Sequence, residues 1–170
     1  MSSDNQTHLA TVEEAPLQMG LRLLRATVVE PWESVDQLIK DHGHRELGDP
    51  LTEGTGAWHL RHIVEIFRLH ARTVAEGLCG DAACMGIAPP DAPIPLAGTW
   101  SPTAARNELL ADLDLFCTWL TTVPPDARAR RFTYGSQTDL PRMLSTMLQH
   151  ITWHAAAVHY WVKWKSSPGT

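Results

Sequence analysis

The stretch DLPRMLSTMLQHITWHAAAVHYWVKWK, residues 139–165, decides the fold class. Wound at about 100° per residue with His150 at zero, it places His154 near 40°, Met147 near 60° and Val158 near 80°. Leu144, Ile151, Ala155 and Val162 continue that arc, while Arg142, Ser145, Gln149 and Lys163 fall opposite. A stripe of this width is an amphipathic helix with one face in a core. Pro141 sits in its first turn, where a missing N–H costs nothing. His154 falls inside the apolar arc, His150 at its margin, and His159 on the far side, which predicts a surface residue.

Three further helical segments lie upstream. Ser101 followed by Pro102 is an N-cap and first-turn pair, and opens a helix that runs to Thr122, before Pro124 and Pro125. Another runs from Ala57 to Leu78 and stops at Gly80. The first runs from Leu17 to Lys40 on the apolar positions Leu17, Leu21, Leu24, Val28, Val35 and Leu38, with Pro31 placed to bend or interrupt it. Between the second and third lies a long connection, Asp81 to Trp100, holding four of the chain's twelve prolines; its length predicts a crossover. The segment 126–138 has room for a short extended piece around Phe132 to Tyr134. The expected architecture is all-α, a four-helix bundle with a long crossover between its second and third helices, forming one domain over residues 1–170 with a flexible N-terminus over 1–14.

Composition narrows the function. Hydrophobic residues make up 44% and charged residues 19% of the 170, as in a globular chain, and the formal charge is −5. No Lys/Arg cluster stands ready to neutralise phosphates, so nucleic acid is not the expected partner. No run approaches the roughly 18 apolar residues of a membrane span, and the polar, acidic start lacks the features of a signal peptide. A cytoplasmic location and no membrane partner are expected. The three cysteines, Cys79, Cys84 and Cys117, read as free thiols of structural or incidental role.

Histidine is the abundant chemical group, with nine in the chain. A buried imidazole without a partner costs about 1–3 kcal/mol, so a His-x-x-x-His pair on a core-facing stripe calls for a common explanation. His150 and His154 can aim their nitrogens at one point, as in metalloprotease helices. The residues between them are Ile151, Thr152 and Trp153, with no carboxylate to act as general base, which disfavours peptide hydrolysis. Core histidines satisfied by neighbours remain the plainer alternative on this helix alone. In the second helix His59, His62 and His70 all lean toward the core, opposite Arg61, Arg68 and Arg72, and periodicity does not choose among them.

Two stretches, Gly56-Ala57-Trp58-His59-Leu60-Arg61-His62-Ile63-Val64-Glu65 and Met147-Leu148-Gln149-His150-Ile151-Thr152-Trp153-His154, resemble the DinB-like metal-binding four-helix family. That family is named for damage-inducible genes and is unrelated to DNA polymerases. The resemblance implies His62, His150 and His154 as ligands of a divalent metal ion, zinc or nickel, with His59 and His70 as core residues or supports of the ligands. It further implies thiol chemistry, because relatives include transferases and isomerases using mycothiol or bacillithiol. Many members carry Arg-Gly-Gln after the last histidine; here Ala155, Ala156 and Ala157 stand there, which weakens a substrate assignment resting on those side chains.

The expected function is therefore a metal-dependent thiol transferase, isomerase or hydrolase acting on a small molecule. The alternative is a non-catalytic metal-binding or stress-associated bundle. Glu65 reads first as a surface residue and second as an orienter of His62. Trp58, Trp153, Trp161 and Trp164 read first as core and second as the wall of a substrate pocket. A homodimer is the expected assembly; catalytic residues are not assigned.

Overall fold

The computed structural model describes residues 17–30, 34–43 and 46–165. Helix α1 covers 17–29, α2 Val35–His42, α3 Gly56–Cys79, α4 Pro102–Thr122, α5 Pro125–Arg128 and α6 Leu140–Lys165, with a hairpin of β1 (Phe132–Tyr134) and β2 (Ser136–Thr138) between α5 and α6. The expected first helix is thus two pieces. The helix ends at residue 29, and Ser34 restarts it by accepting the Gln37 N–H on its Oγ at 3.1 Å. Pro31 and the N-terminal segment 1–14 lie outside the described residues.

The other boundaries follow their local chemistry. Ser101 Oγ accepts the Ala104 N–H at 3.0 Å and opens α4. Thr55 Oγ1 does the same for the Trp58 N–H at the start of α3. Gly80, at φ 77°, closes α3 in the left-handed region that a Cβ disfavours. Gly135, at φ 66°, turns the hairpin, which pairs Phe132 with Thr138 and Tyr134 with Ser136.

Pairwise contacts fix the helix directions. Arg68 in the middle of α3 meets Asp112 in the middle of α4. Gly20 abuts Leu144 and the His42 ring lies beside His159, so the α1–α2 arm runs parallel to α6. His59 meets His154 and His70 lies beside His150, so α3 and α6 run antiparallel. Arg25 pairs with Asp114, and Asp36 with Arg106, so the α1–α2 arm is antiparallel to α4. The bundle is up–down–down–up. Because consecutive helices α3 and α4 are parallel, their connection must return along the bundle, which explains its length. On the way the Arg72 Nη1–H donates to the Ile87 carbonyl at 2.8 Å, and the Leu96 N–H donates to Glu108 Oε1 at 3.1 Å. Both tie the crossover to the helices it passes.

The core runs through all four layers, with Leu24, Phe67, Phe116, Leu120, Met147 and Val158 sealed from solvent. Helix α3 is its centre, packed on α6 by one face and on α4 by the other. That placement corrects one expectation. Arg68, read as part of an exposed arginine face, is fully buried, with Nε 2.7 Å from Asp112 Oδ2 and Nη2 2.5 Å from Glu108 Oε2. A helix with two covered faces has no fully solvated back. Among the described residues, no helix is long and apolar enough to cross a membrane.

Candidate metal centre

The histidines meet where the first half of α3 passes the middle of α6. His62, His150 and His154 each offer one nitrogen, and these three atoms lie within 4.8 Å of one another. The geometry follows from sequence spacing: the i, i+4 pair stacks on one face of α6, its ring centroids 5.1 Å apart and 19° from parallel. The His62 ring faces both, at 4.6 Å from His154 and 5.8 Å from His150. His154 is buried, while His62 and His150 are half-buried. The cluster is closed toward the core and open on its other side.

Two of the three rings are held by a neighbour. His62 Nδ1–H donates to Glu65 Oε2 at 3.3 Å, one helical turn on, and Glu65 is itself anchored by Arg61 at 2.7 Å. Trp58 stacks on the His62 ring, 4.8 Å between centroids and 7° from parallel. His154 Nδ1 shares a hydrogen bond of 2.8 Å with His59 Nδ1, one ring donating and the other accepting. With His154 as the donor to His59, these contacts occupy Nδ1 on both His62 and His154 and leave their Nε2 lone pairs for a ligand. Metal-bound histidines are commonly fixed in this way through their second nitrogen.

Burial favours the neutral form of His59, His150 and His154. Burial, then the neighbouring His62, His59 and His150, pushes His154 down to about 3. Burial and His62 also lower His150, and burial and His62 lower His59. A neutral imidazole presents the lone pair that a metal ion requires. The three ring nitrogens suit a divalent ion of borderline softness. Metal–nitrogen bonds of about 2.0–2.1 Å put two ligands of one ion within about 4 Å, so small ring rotations bring this set to bonding distance. The residues fit the group that the sequence implies.

Of the remaining expected positions, His70 stands a step away. It is fully buried, 5.7 Å from the His150 ring, and its Nε2 shares a 2.9 Å hydrogen bond with the Tyr134 hydroxyl on β1. His159 is exposed, as its wheel position predicts. Glu65, read first as a surface residue, is instead half-buried against His62. The four tryptophans split into two pairs. Trp58 and Trp153 flank the histidines, with Trp153 4.5 Å from the His154 ring and largely exposed. Trp161 and Trp164 pack together further along α6, beneath the Lys165 ammonium.

Tyr134 is the residue near the cluster that sequence reasoning missed; only the extended piece around it carried a signal. An apolar cavity of about 650 Å³, lined by Leu17, Leu23, Leu140, Leu144 and Leu148 among others, opens at the start of α6 and touches none of the histidines.

A family model described as the DinB superfamily matches residues 24–160, which takes in both histidine-bearing helices. No curated protein and no solved structure matches the chain. With the crossover, the histidine cluster and most of the bundle lying within the matched span, the chain belongs to the DinB superfamily.

Proposed function

We propose that the chain is a metal-dependent enzyme in which His62, His150 and His154 hold a divalent ion, zinc or nickel, and which transfers or rearranges groups on a low-molecular-weight thiol. The observation that carries the metal is the convergence of three imidazole nitrogens from two helices within 4.8 Å. A bound divalent ion lowers the pKa of a water or thiol ligand and makes it nucleophilic near neutral pH. The protein's part is to present three imidazoles, orient two of them through Glu65 and His59, and leave the side opposite the core open. Three protein ligands and one free position make the usual arrangement of a catalytic site. Trp58 and Trp153 give the open side apolar walls suited to the non-thiol part of a small substrate. The thiol itself rests on the resemblance of the two histidine stretches to families that use mycothiol or bacillithiol.

The test has two arms. Metal content of untagged protein is measured beside His62→Ala, His150→Ala and His154→Ala; near-stoichiometric metal in the parent, lost in each variant, is expected. Conjugation of monochlorobimane to mycothiol, bacillithiol or glutathione is then followed with and without a chelator. Metal-dependent conjugation supports the enzyme. Bound metal with no turnover on any of these thiols sinks the thiol-transfer reading.

A second reading has a specific observation behind it. His59 stands beside the triad, with Nδ1 2.8 Å from His154 Nδ1. As a fourth ligand it would close the coordination sphere, and the metal would then brace α3 against α6 as structural ions do.

A further inference from the structure

Helix α6 has a second working side. Leu148 and His150 are two residues apart and therefore about 200° apart around the helix, so the histidines face one way and Leu148 the other. On the Leu148 side, α1, α5 and the first turns of α6 enclose the apolar cavity of about 650 Å³. Gly20 lets α1 approach closely: a Cβ there would stand 3.0 Å from Leu144 Cδ1. Helix α5 forms the third wall, with Ala127 buried and with Pro125 and Arg128 on the cavity. Leu17, Leu140 and Leu144 are buried at its base, while Met19 and Leu23 stay 56% and 47% exposed at its mouth. Cavities of about 300–1,000 Å³ with mostly apolar walls and a few polar groups are the usual sites of small molecules.

The polar lining gives the ligand its head group. Arg128, Asp139 and Ser145 are the groups concerned. Asp139 is committed to the start of α6, its Oδ1 accepting the Arg142 N–H at 3.0 Å. Arg128 brings the positive charge to an otherwise apolar wall, and a guanidinium favours a carboxylate through charge-assisted hydrogen bonds. We propose that this cavity binds a medium-chain carboxylate, an unbranched fatty acid of about eight to twelve carbons, a size that such volumes accept. The chain lies along Leu17, Leu140, Leu144 and Leu148, and the carboxylate meets Arg128. Each methylene moved from water onto these side chains tightens binding by about fourfold. The cavity touches none of the histidines, so the site is separate from the metal centre.

The full chain is titrated calorimetrically with octanoate, decanoate and dodecanoate below their micelle concentrations, with EDTA present so that no metal takes the carboxylate. One site per chain is expected, with affinity rising about fourfold per added methylene. Ser145→Trp and Leu23→Trp each put an indole into the cavity, one from α6 and one from α1, and should weaken decanoate severalfold. Both replace exposed residues, so both variants should melt with the parent chain. Arg128→Gln should weaken decanoate about tenfold, the loss of a hydrogen bond to a charged group, and leave 1-decanol unchanged. Absence of decanoate binding, affinity indifferent to chain length, or binding untouched by both indoles overturns the proposal. A parent chain that binds no decanoate but sediments as a dimer, broken by both indoles, overturns it in favour of a second copy.

Discussion

His59 Nδ1 and His154 Nδ1 lie 2.8 Å apart, one on α3 and one on α6, in the buried side of the histidine cluster. The bond needs one donor and one acceptor, so it couples the tautomers of the two rings and holds the His154 ring plane. If His59 is a support and not a ligand, His59→Ala should keep near-stoichiometric metal while losing about 10–100-fold in affinity. Chelator competition on the purified variant reads both quantities. Complete loss of metal would instead make His59 a fourth ligand and favour the closed, structural site.

Glu65 makes the matching contact on the other ring, with Oε2 3.3 Å from His62 Nδ1. Glu65→Gln keeps the size and an acceptor but removes the charge that favours the Nδ1–H tautomer. Metal affinity should fall by less than in His59→Ala, because Glu65 is half-exposed and water can replace it. A fall larger than that of His59→Ala would place the carboxylate in the chemistry itself.

The metal-free protein should lose stability in mild acid. Burial, then His150, lowers the buried His70 to about 4 from an ordinary 6.5. Between those two values the unfolded chain holds a proton that the folded chain does not, so stability is complete above pH 6.5 and declines as pH falls toward 4. The shift corresponds to about 3 kcal/mol for this residue. Urea unfolding of metal-free protein at pH 7 and pH 5 measures the decline. In His70→Leu the slope should flatten; an unchanged slope would assign the acid sensitivity to other groups.

Much of this is legible in the sequence, and what is not has physical causes. The cap at Ser101, the stop at Gly80 and the buried arc of α6 are local signals, and the structure reproduces them because local geometry decides them. The wheel also placed His154 inside and His150 at the margin, as observed. It failed for Arg68, because a wheel assumes one buried stripe while α3 is covered on two sides. Tyr134 escaped notice because strands of three residues carry no periodicity, and its meeting with His70 spans 64 positions of sequence. Periodicity did not separate His62 from His59; the resemblance singled out His62, and only the approach of α6 shows its ring facing both His150 and His154.

Arg68 makes the next prediction. Its guanidinium is sealed between Asp112 and Glu108. Burial raises Asp112 even against the lowering influence of Arg68, a sign that this carboxylate depends on its partner. Arg68→Met should cost about 3–5 kcal/mol, the usual penalty for leaving a buried charge unpaired. Replacing Asp112 by Leu in the same chain should recover part of the loss. Denaturant titration of both variants tests it, and a neutral Arg68→Met would mean that water reaches Asp112.

Gly77 carries the last prediction, because it decides whether the hairpin can seat. In the middle of a helix, Gly→Ala usually stabilises by about 0.5–1 kcal/mol. Here a Cβ would stand 2.4 Å from Cγ of Phe132, whose ring packs from β1 onto α3. The contact is to a buried aromatic ring and not to the tip of a flexible chain, so relief requires the hairpin to move. Gly77→Ala should therefore destabilise by about 1–3 kcal/mol, opposite in sign to helix propensity. It should also loosen the 2.9 Å bond between Tyr134 and His70, two residues along the same strand from Phe132. Thermal melts give the first effect, and the histidine side-chain NMR shift of His70 gives the second. A stabilised Gly77→Ala with an unmoved His70 signal would show that Phe132 can repack without disturbing the strand that reaches the histidine cluster.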